Sequence, residues 1–416
     1  MKKIALMSLV ASSVLMAGGW KIPETSLNGV ALSAANIAHN KSADAAYYNP
    51  ANMVFMADED VMEVDLMYIG LEAPNYKGTV GGTGPYDLNA KKENFLVPSV
   101  HYVSGKAGEA RIGLSIVSPG GLSKRWDMEP AKTSAEEFTL QIIEINPTVA
   151  IPLGDKVSVA AGFRILHSSG VVKSSGTVNL GAAAVVTRNM EGDSIDYGYN
   201  FALAYKPTSD LEMGLTYRSK VDLTIEGDAY LNSSSAVPAL NATYGGSASV
   251  TVPLPAAVSL AAAYTFASET TIELVYERNF WSAYKNLDFD YNGNEGPLLG
   301  AIFGGAIPKA YVDTNAFRLG ITQDLDKLTL MGGVVYDESP VPTQSLDFSL
   351  PDSDSISVSL GGRYEVTDSI EIGLSALYSM RESRKITAQD ANINGLVGEF
   401  SNSNVLIIST GVSYKF

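Results

Sequence analysis

The side chains able to do chemistry in this 416-residue sequence are few and dispersed. The three histidines, His39, His101 and His167, lie far apart and lack the spacing of a metal-ligand set. Each reads as a polar residue of the interior. Cysteine is absent, which removes thiolate chemistry and any disulfide framework. No serine and histidine stand in a recognisable nucleophile–base arrangement, so no catalytic residue, metal or cofactor is expected. What remains is binding chemistry. The segment 291–313 concentrates Leu298, Leu299, Ile302 and Phe303 between Pro297 and Pro308. Apolar residues at that density in a loop mark a capture surface for a hydrophobic ligand. Leu122 and Trp126, between Val117 and Trp126, form a second candidate; the bland alternative is loops packing on one another. A ligand with a carboxylate would need a cation, and Arg218, Lys220, Arg363 and Arg381 fall on the polar registers of their segments. The same charges could instead brace a structure by pairing with Glu212, Asp222 or Glu365.

The elements that would position these residues are strands. From residue 61 onward apolar and polar residues alternate, which sends successive side chains to opposite faces of a sheet. In Ile195 to Lys206, Tyr197, Tyr199, Phe201, Leu203 and Tyr205 oppose Asp196, Gly198 and Asn200. From Leu211 to Glu226, Leu211, Met213, Leu215, Tyr217, Val221, Leu223 and Ile225 are expected on one face, with Arg218, Lys220 and Asp222 on the other. Ser355 to Val366 repeats the pattern. About fourteen such stretches are expected, the even number of a single-chain outer-membrane barrel. Their connections alternate short (104–109, 152–155, 207–210, 267–270, 323–326, 367–369) and long (74–93, 119–136, 181–194, 229–252, 291–313, 338–352, 387–402). A transmembrane barrel sorts its loops this way, with short periplasmic turns and long outer loops; a soluble sandwich has no reason to. Inward carboxylates such as Glu63 and Asp65 are expected to line a wet lumen. Tyrosines recur near strand ends, where a ring can sit at headgroup level.

Composition agrees. No apolar run after residue 20 approaches the roughly 20 residues of a membrane helix. A net charge of -16 with scattered Lys and Arg disfavours a nucleic-acid partner. Residues 1–19 read as a signal peptide: Lys2 and Lys3, an apolar stretch from Ile4 to Met16, then Ala17, Gly18 and Gly19 for cleavage between Ala17 and Trp20. Residues 20–60 do not alternate. Alanine-rich pieces suggest short helices, and Asn49 before Pro50 a break. A segment this short is no independent domain, so its expected place is inside the barrel of 61–416, as a hatch; a loose periplasmic tail would leave Tyr47, Tyr48 and Phe55 in water.

The stretch Asp44 to Met53 with Asn49-Pro50-Ala51, the run Tyr336-Asp337-Glu338-Ser339-Pro340-Val341-Pro342, the following Leu350-Pro351-Asp352-Ser353-Asp354, and Tyr276-Glu277-Arg278 before Trp281-Ser282 resemble, in order and spacing, the FadL-type transporters of long-chain fatty acids and aromatic hydrocarbons. The resemblance covers essentially the whole mature chain. It implies an all-β fourteen-stranded barrel with an inserted hatch in the bacterial outer membrane. Capture at an outer hydrophobic groove, transfer to an apolar pocket and sideways release through the wall are likewise implied. It does not match the family's basic carboxylate contacts onto this sequence residue by residue. The substrate is therefore expected to be a hydrophobic small molecule, a fatty acid first and a neutral hydrocarbon second. A structural or adhesive barrel is the alternative from another class. The other expected partners are outer-membrane lipid and the barrel assembly machinery, the latter through the final strand ending on Phe416; a monomer is expected.

Overall fold

The computed structural model describes residues 18–416, so the signal-peptide expectation for the stretch before Gly18 lies outside the described residues. Fourteen antiparallel strands close into a barrel. They are β1 (Val61–Leu71), β2 (Glu93–Val103), β3 (Arg111–Val117, resuming as Gly121–Arg125), β4 (Glu137–Pro152) and β5 (Val157–Asn179). There follow β6 (Ala183–Tyr205), β7 (Leu211–Arg218, resuming as Val221–Ser235), β8 (Ala242–Leu254, resuming as Ala257–Thr265), β9 (Thr270–Asn279) and β10 (Thr314–Leu325). The wall finishes with β11 (Leu328–Asp337), β12 (Ser355–Thr367), β13 (Ile370–Arg381) and β14 (Val405–Lys415), and β1 pairs with β14 from Val61↔Lys415 to Leu71↔Val405 to close it. Closure pairs the first strand with the last, which a lipid environment demands because no water can satisfy an exposed sheet edge there.

Alternation sorts the side chains as expected in most of the wall. Met62, Val64, Leu66 and Tyr68 of β1 and Tyr197, Tyr199 and Phe201 of β6 face outward, whereas Glu63 and Asp65 are buried inside. The β7 region departs from the expectation. Its register inverts between Arg218 and Val221, so Leu215 is 39% exposed while Leu223 is fully buried at 0%. Lys220 therefore points outward to an exposed ion pair with Asp222 at 2.7 Å, and the lumen placement expected for it is corrected. The break between Arg218 and Val221 shifts the alternation by one residue and so inverts its faces.

Two of the expected long loops are mostly strand. β5 and β6 are each 23 residues long, on the order of 75 Å at ~3.3 Å per residue, against an apolar band of ~25 Å. With β7 and β8 they rise past the membrane as a β-wall, so 181–194 and 229–252 are not irregular. The stretch between the expected connections 267–270 and 291–313, expected as strand, ends its strand at Asn279 and turns at Trp281–Ala283. Above the rim, segments Asn75–Val80, Thr83–Asn89, Arg384–Ile386 and Leu396–Ser401 form a separate four-stranded sheet, and α-helix Gly296–Phe303 lies in the longest loop.

Residues 18–60 fill the interior. Leu27–Ala31 is a short helix capped by Ser26, whose Oγ accepts from Gly29 N at 2.9 Å. Asn49 caps the 3₁₀ turn Pro50–Phe55 through Ala51 N at 3.2 Å, and its Nδ2 donates to Ile37 O at 2.8 Å. Pro50 suits this first position because it has no N–H to leave unpaired. Asp44 gathers Ser26 Oγ at 2.6 Å with Asn28 and Asn36, so a buried carboxylate organises the fold of the hatch. The wall holds it from several sides: Leu27 N donates to Asp65, Ser158 Oγ to Ala51 O at 2.7 Å, and Arg318 Nη1 to Ser33 O at 3.0 Å. The wet lumen expected around Glu63 and Asp65 is thus replaced by packed protein.

Close approach of hatch and wall needs glycine. A Cβ on Gly333 of β11 would fall 2.3 Å from the carbonyl carbon of Leu32. Gly333→Val is expected to unseat the hatch while leaving the lipid-facing wall intact. An increased sensitivity of cells to a bulky hydrophilic antibiotic, against unchanged amounts of folded barrel, would show it; unchanged sensitivity would count against a sealing hatch.

Candidate functional site

Beneath the outer rim, about 690 Å³ of empty space lies between hatch and wall, walled by Trp20, Leu122, Leu140, Met190, Ile225 and Tyr311. Its lining is almost wholly apolar. Each strand contributes by alternation: the inverted register that spoils the expected face of β7 is what turns Ile225 inward. Trp20 enters from the hatch and stands edge-on to Trp281 and Tyr284, with ring centroids at 4.5 and 5.0 Å. Tyr284 and Tyr311 keep neutral hydroxyls because burial pushes both far above the ordinary tyrosine value.

A second groove leads down from the outer loops along Ile302, Phe303, Ile307, Val186 and Leu396. It shares Phe138, Leu287, Lys309 and Ser349 with the inner cavity, so a groove of mixed polarity adjoins an apolar inner space. Two cations stand on the groove. Lys309 Nζ lies 2.6 Å from Asp347 and 3.2 Å from Ser349 Oγ. Burial raises the Asp347 carboxyl, but Lys309 outweighs it and holds the group below its ordinary range. Lys309 is therefore compensated. Arg188 is less so. It is 7% exposed, and its guanidinium lies over Phe289 at 4.7 Å and Phe303 at 5.8 Å. Among the described residues no carboxylate comes within 4.0 Å of it and its Nε has no hydrogen-bond partner. Its polar neighbour is Tyr291, and without a carboxylate beside it the buried charge is only partly compensated.

The wall is incomplete beside the inner cavity. The β2–β3 ladder runs only from Val100↔Ile116 to Val103↔Gly113, because β3 breaks at Ser118, Pro119 and Gly120. Hatch backbone occupies the break: Ile22 N donates to Pro119 O at 2.9 Å and Gly121 N to Trp20 O at 2.8 Å. Proline cannot donate to a ladder and glycine leaves room for the approach. A residue that walls the cavity, Trp20, is thus also bonded to the seam.

The expected site residues are divided by the structure. Leu122 lines the inner cavity, and Ile302 and Phe303 line the groove. Leu299 is buried in the packing behind the helix, and Leu298 is half-buried outside both spaces. Trp126 is packed on Phe348 and donates Nε1 to its carbonyl at 2.9 Å, so it braces loops. Of the cations, Arg218 is held by Glu144 and lies 4.2 Å over Tyr47; Arg363 lies 2.7 Å from both Glu63 and Glu371; Arg381 lies 3.0 Å from Asp352. All three have carboxylate partners. His39 pairs with Glu212 and His101 is buried beside Ser115, but His167 is exposed beside Asp193, which corrects its expected interior position. Arg188 and Lys309 were missed because both lie in segments read as loop. The signal for Arg188 was the alternation of Val186, Arg188 and Met190, inward residues of a strand continuing past the membrane.

A closed fourteen-stranded barrel, filled by its own amino-terminal segment and holding an apolar cavity beneath the outer rim, defines an outer-membrane transporter of hydrophobic compounds. The chain belongs to the family described as outer membrane protein transport protein (OMPP1/FadL/TodX), whose model matches residues 8–416. It is 26% identical to a long-chain fatty acid transport protein of Escherichia coli over 92% of both chains. It is 25% identical to a 47 kDa outer membrane protein of Pasteurella multocida over 99% of this chain and 96% of the other. Its fold superimposes on a Pseudomonas aeruginosa FadL homologue with a TM-score of 0.82 at 21% identity, covering 95% of this chain and 99% of that one. The toluene transporter TodX of P. putida gives 0.72 at 17% identity, covering 94% and 97%. Members of this family are transporters rather than enzymes.

Proposed function

We propose that this protein carries long-chain fatty acids, taking the acyl chain into the cavity behind Leu122 and Trp20 with the carboxylate held by Arg188 and, second, by Lys309. The observation that carries the choice is a buried guanidinium with no carboxylate beside it among the described residues, set between aromatic rings and Tyr291 on the wall of the groove. A neutral hydrocarbon, as the name of the toluene transporter would suggest, gives a buried cation no compensation. Its similarity to the E. coli fatty acid transport protein supports the same substrate class. Binding begins in the groove beside Ile302 and Phe303, and the ligand leaves sideways through the β2–β3 seam, where lipid rather than water receives it. The exposed Phe416 at the end of the last strand is the contact offered to the assembly machinery.

The test is uptake of radiolabelled oleate and of toluene by cells lacking their own transporter. Saturable oleate uptake that toluene does not inhibit supports the proposal; saturable toluene uptake without oleate uptake transfers the assignment to hydrocarbons. Uptake of neither, with the barrel present in the membrane, returns the structural or adhesive reading.

A further inference from the structure

The inner cavity owes its space to side chains that are missing. One line of cross-strand pairs runs over the wall from β3 to β8, Leu122↔Leu140↔Gly170↔Gly192↔Gly227↔Ala248. All six residues line the cavity. The line opens on two leucines and continues as three glycines and an alanine. Two residues nearer the rim, β4, β5 and β6 carry Phe138, Val172 and Met190; two residues nearer the periplasm, β7 and β8 carry Ile225 and Val250. Residues two apart on a strand share a face, so a row without bulk lies between rows that have it.

The backbone itself demands two of the glycines. A Cβ on Gly227 would fall 2.1 Å from Glu191 O, and one on Gly192 would fall 2.4 Å from Glu226 O. The two strands press together on the inner face there, and any side chain would part them. Ile225 of β7 thereby reaches across β6 to Gly170 of β5, where a Cβ would meet its Cδ1 at 3.2 Å. Gly170 is under no such constraint: the nearest main-chain atom to its Cβ position, Thr139 O, is 3.7 Å away, an ordinary contact. Glycine inside a strand weakens it, so what Gly170 preserves is the space. Trp20, 2% exposed, walls that space too, and its indole N–H has no hydrogen-bond partner among the described residues. Both features mark a space completed from outside the chain. We propose that the row selects the ligand by its tail: the space over Gly170, Gly192, Gly227 and Ala248 takes a straight, unbranched alkyl tail, and the two leucines ending the row cap its length. The proposal rests on the reading of the cavity as the seat of the acyl chain, and not on the head group.

The test is the affinity of the purified barrel for octanoate, laurate and palmitate and for the matching 1-alkanols, followed by tryptophan fluorescence, in wild type, Ala248→Leu and Gly170→Val. Leucine at 248 fills the row directly, and valine at 170 drives Ile225 into it. Each is expected to weaken palmitate on the order of tenfold, the equivalent of about two methylenes shut out of an apolar site, and to change octanoate by less than about twofold. Wild type should bind phytanate, a methyl-branched palmitate, at least about tenfold more weakly than palmitate, because added methyl groups overpack a close-fitting space. Equal weakening at every length, or none in a folded barrel, overturns the proposal, as does phytanate bound as tightly as palmitate. A length cut-off among the alkanols while no acid binds keeps the row and rejects the fatty-acid reading; acids bound without a cut-off do the reverse. Binding of neither series overturns both. Should the variants not fold, the phytanate comparison in wild type still decides.

Discussion

Arg188→Met is expected to weaken binding of oleate by about 10- to 100-fold, the equivalent of the ~1.5–3 kcal/mol of a hydrogen bond to a charged group, while binding of a neutral hydrocarbon of similar length changes little. Methionine keeps the packing against Phe289 and Phe303 but removes the only cation lining the groove without a carboxylate beside it among the described residues. Arg188→Lys should recover part of the affinity, since charge survives but the forked geometry does not. Stability separates this from a structural role. Removal of a buried charge that is only partly compensated should leave the unfolding temperature unchanged or raise it, whereas a brace would lower it. Equal loss for acid and hydrocarbon, in a titration followed by tryptophan fluorescence, would refute the assignment of Arg188 to the carboxylate.

Arg363→Met should act in the opposite way, on stability first. Arg363 lies 2.7 Å from Glu63 and from Glu371, and its Nε donates to Asn28 of the hatch at 2.6 Å. Losing it strands Glu63, fully buried at 0% exposure, as an unpaired charge. Breaking a buried pair from one side costs ~3–5 kcal/mol. The loss should appear as a lower urea midpoint of the purified barrel in detergent. The double variant Glu63→Gln/Arg363→Met should recover a large part of it, because the charge left behind is then gone. No recovery would mean that Arg363 acts through its packing, and its contact with the hatch would carry the effect.

These two arginines show why the site was only partly legible. Both occupy inward registers of strands, but 181–194 reads as loop, so only Arg363 is picked out as an inward cation. What separates them is whether a carboxylate stands across the barrel: Glu63 lies 300 positions from Arg363 in sequence, and nothing local announces it. The loops behaved similarly. Ile302 and Phe303 share a helix with Leu298 and Leu299, yet the helix turns Leu299 into the packing and leaves only the first two on the groove.

The architecture, by contrast, was written in local pattern. A period of two over long stretches, short and long connections in alternation and the lack of a membrane-length apolar run determined a transmembrane barrel, because each is a direct consequence of satisfying every backbone group in lipid. The amino-terminal segment announced itself as something other than wall by losing that period. Tertiary structure alone decided the rest: where β3 and β7 break, that the lumen is packed rather than wet, which cations are neutralised, and that Arg188 has no carboxylate beside it among the described residues. Breaks invert a register by a single residue, and pairing of charges depends on neighbours brought around the barrel by closure. Neither is a property of any short stretch of chain.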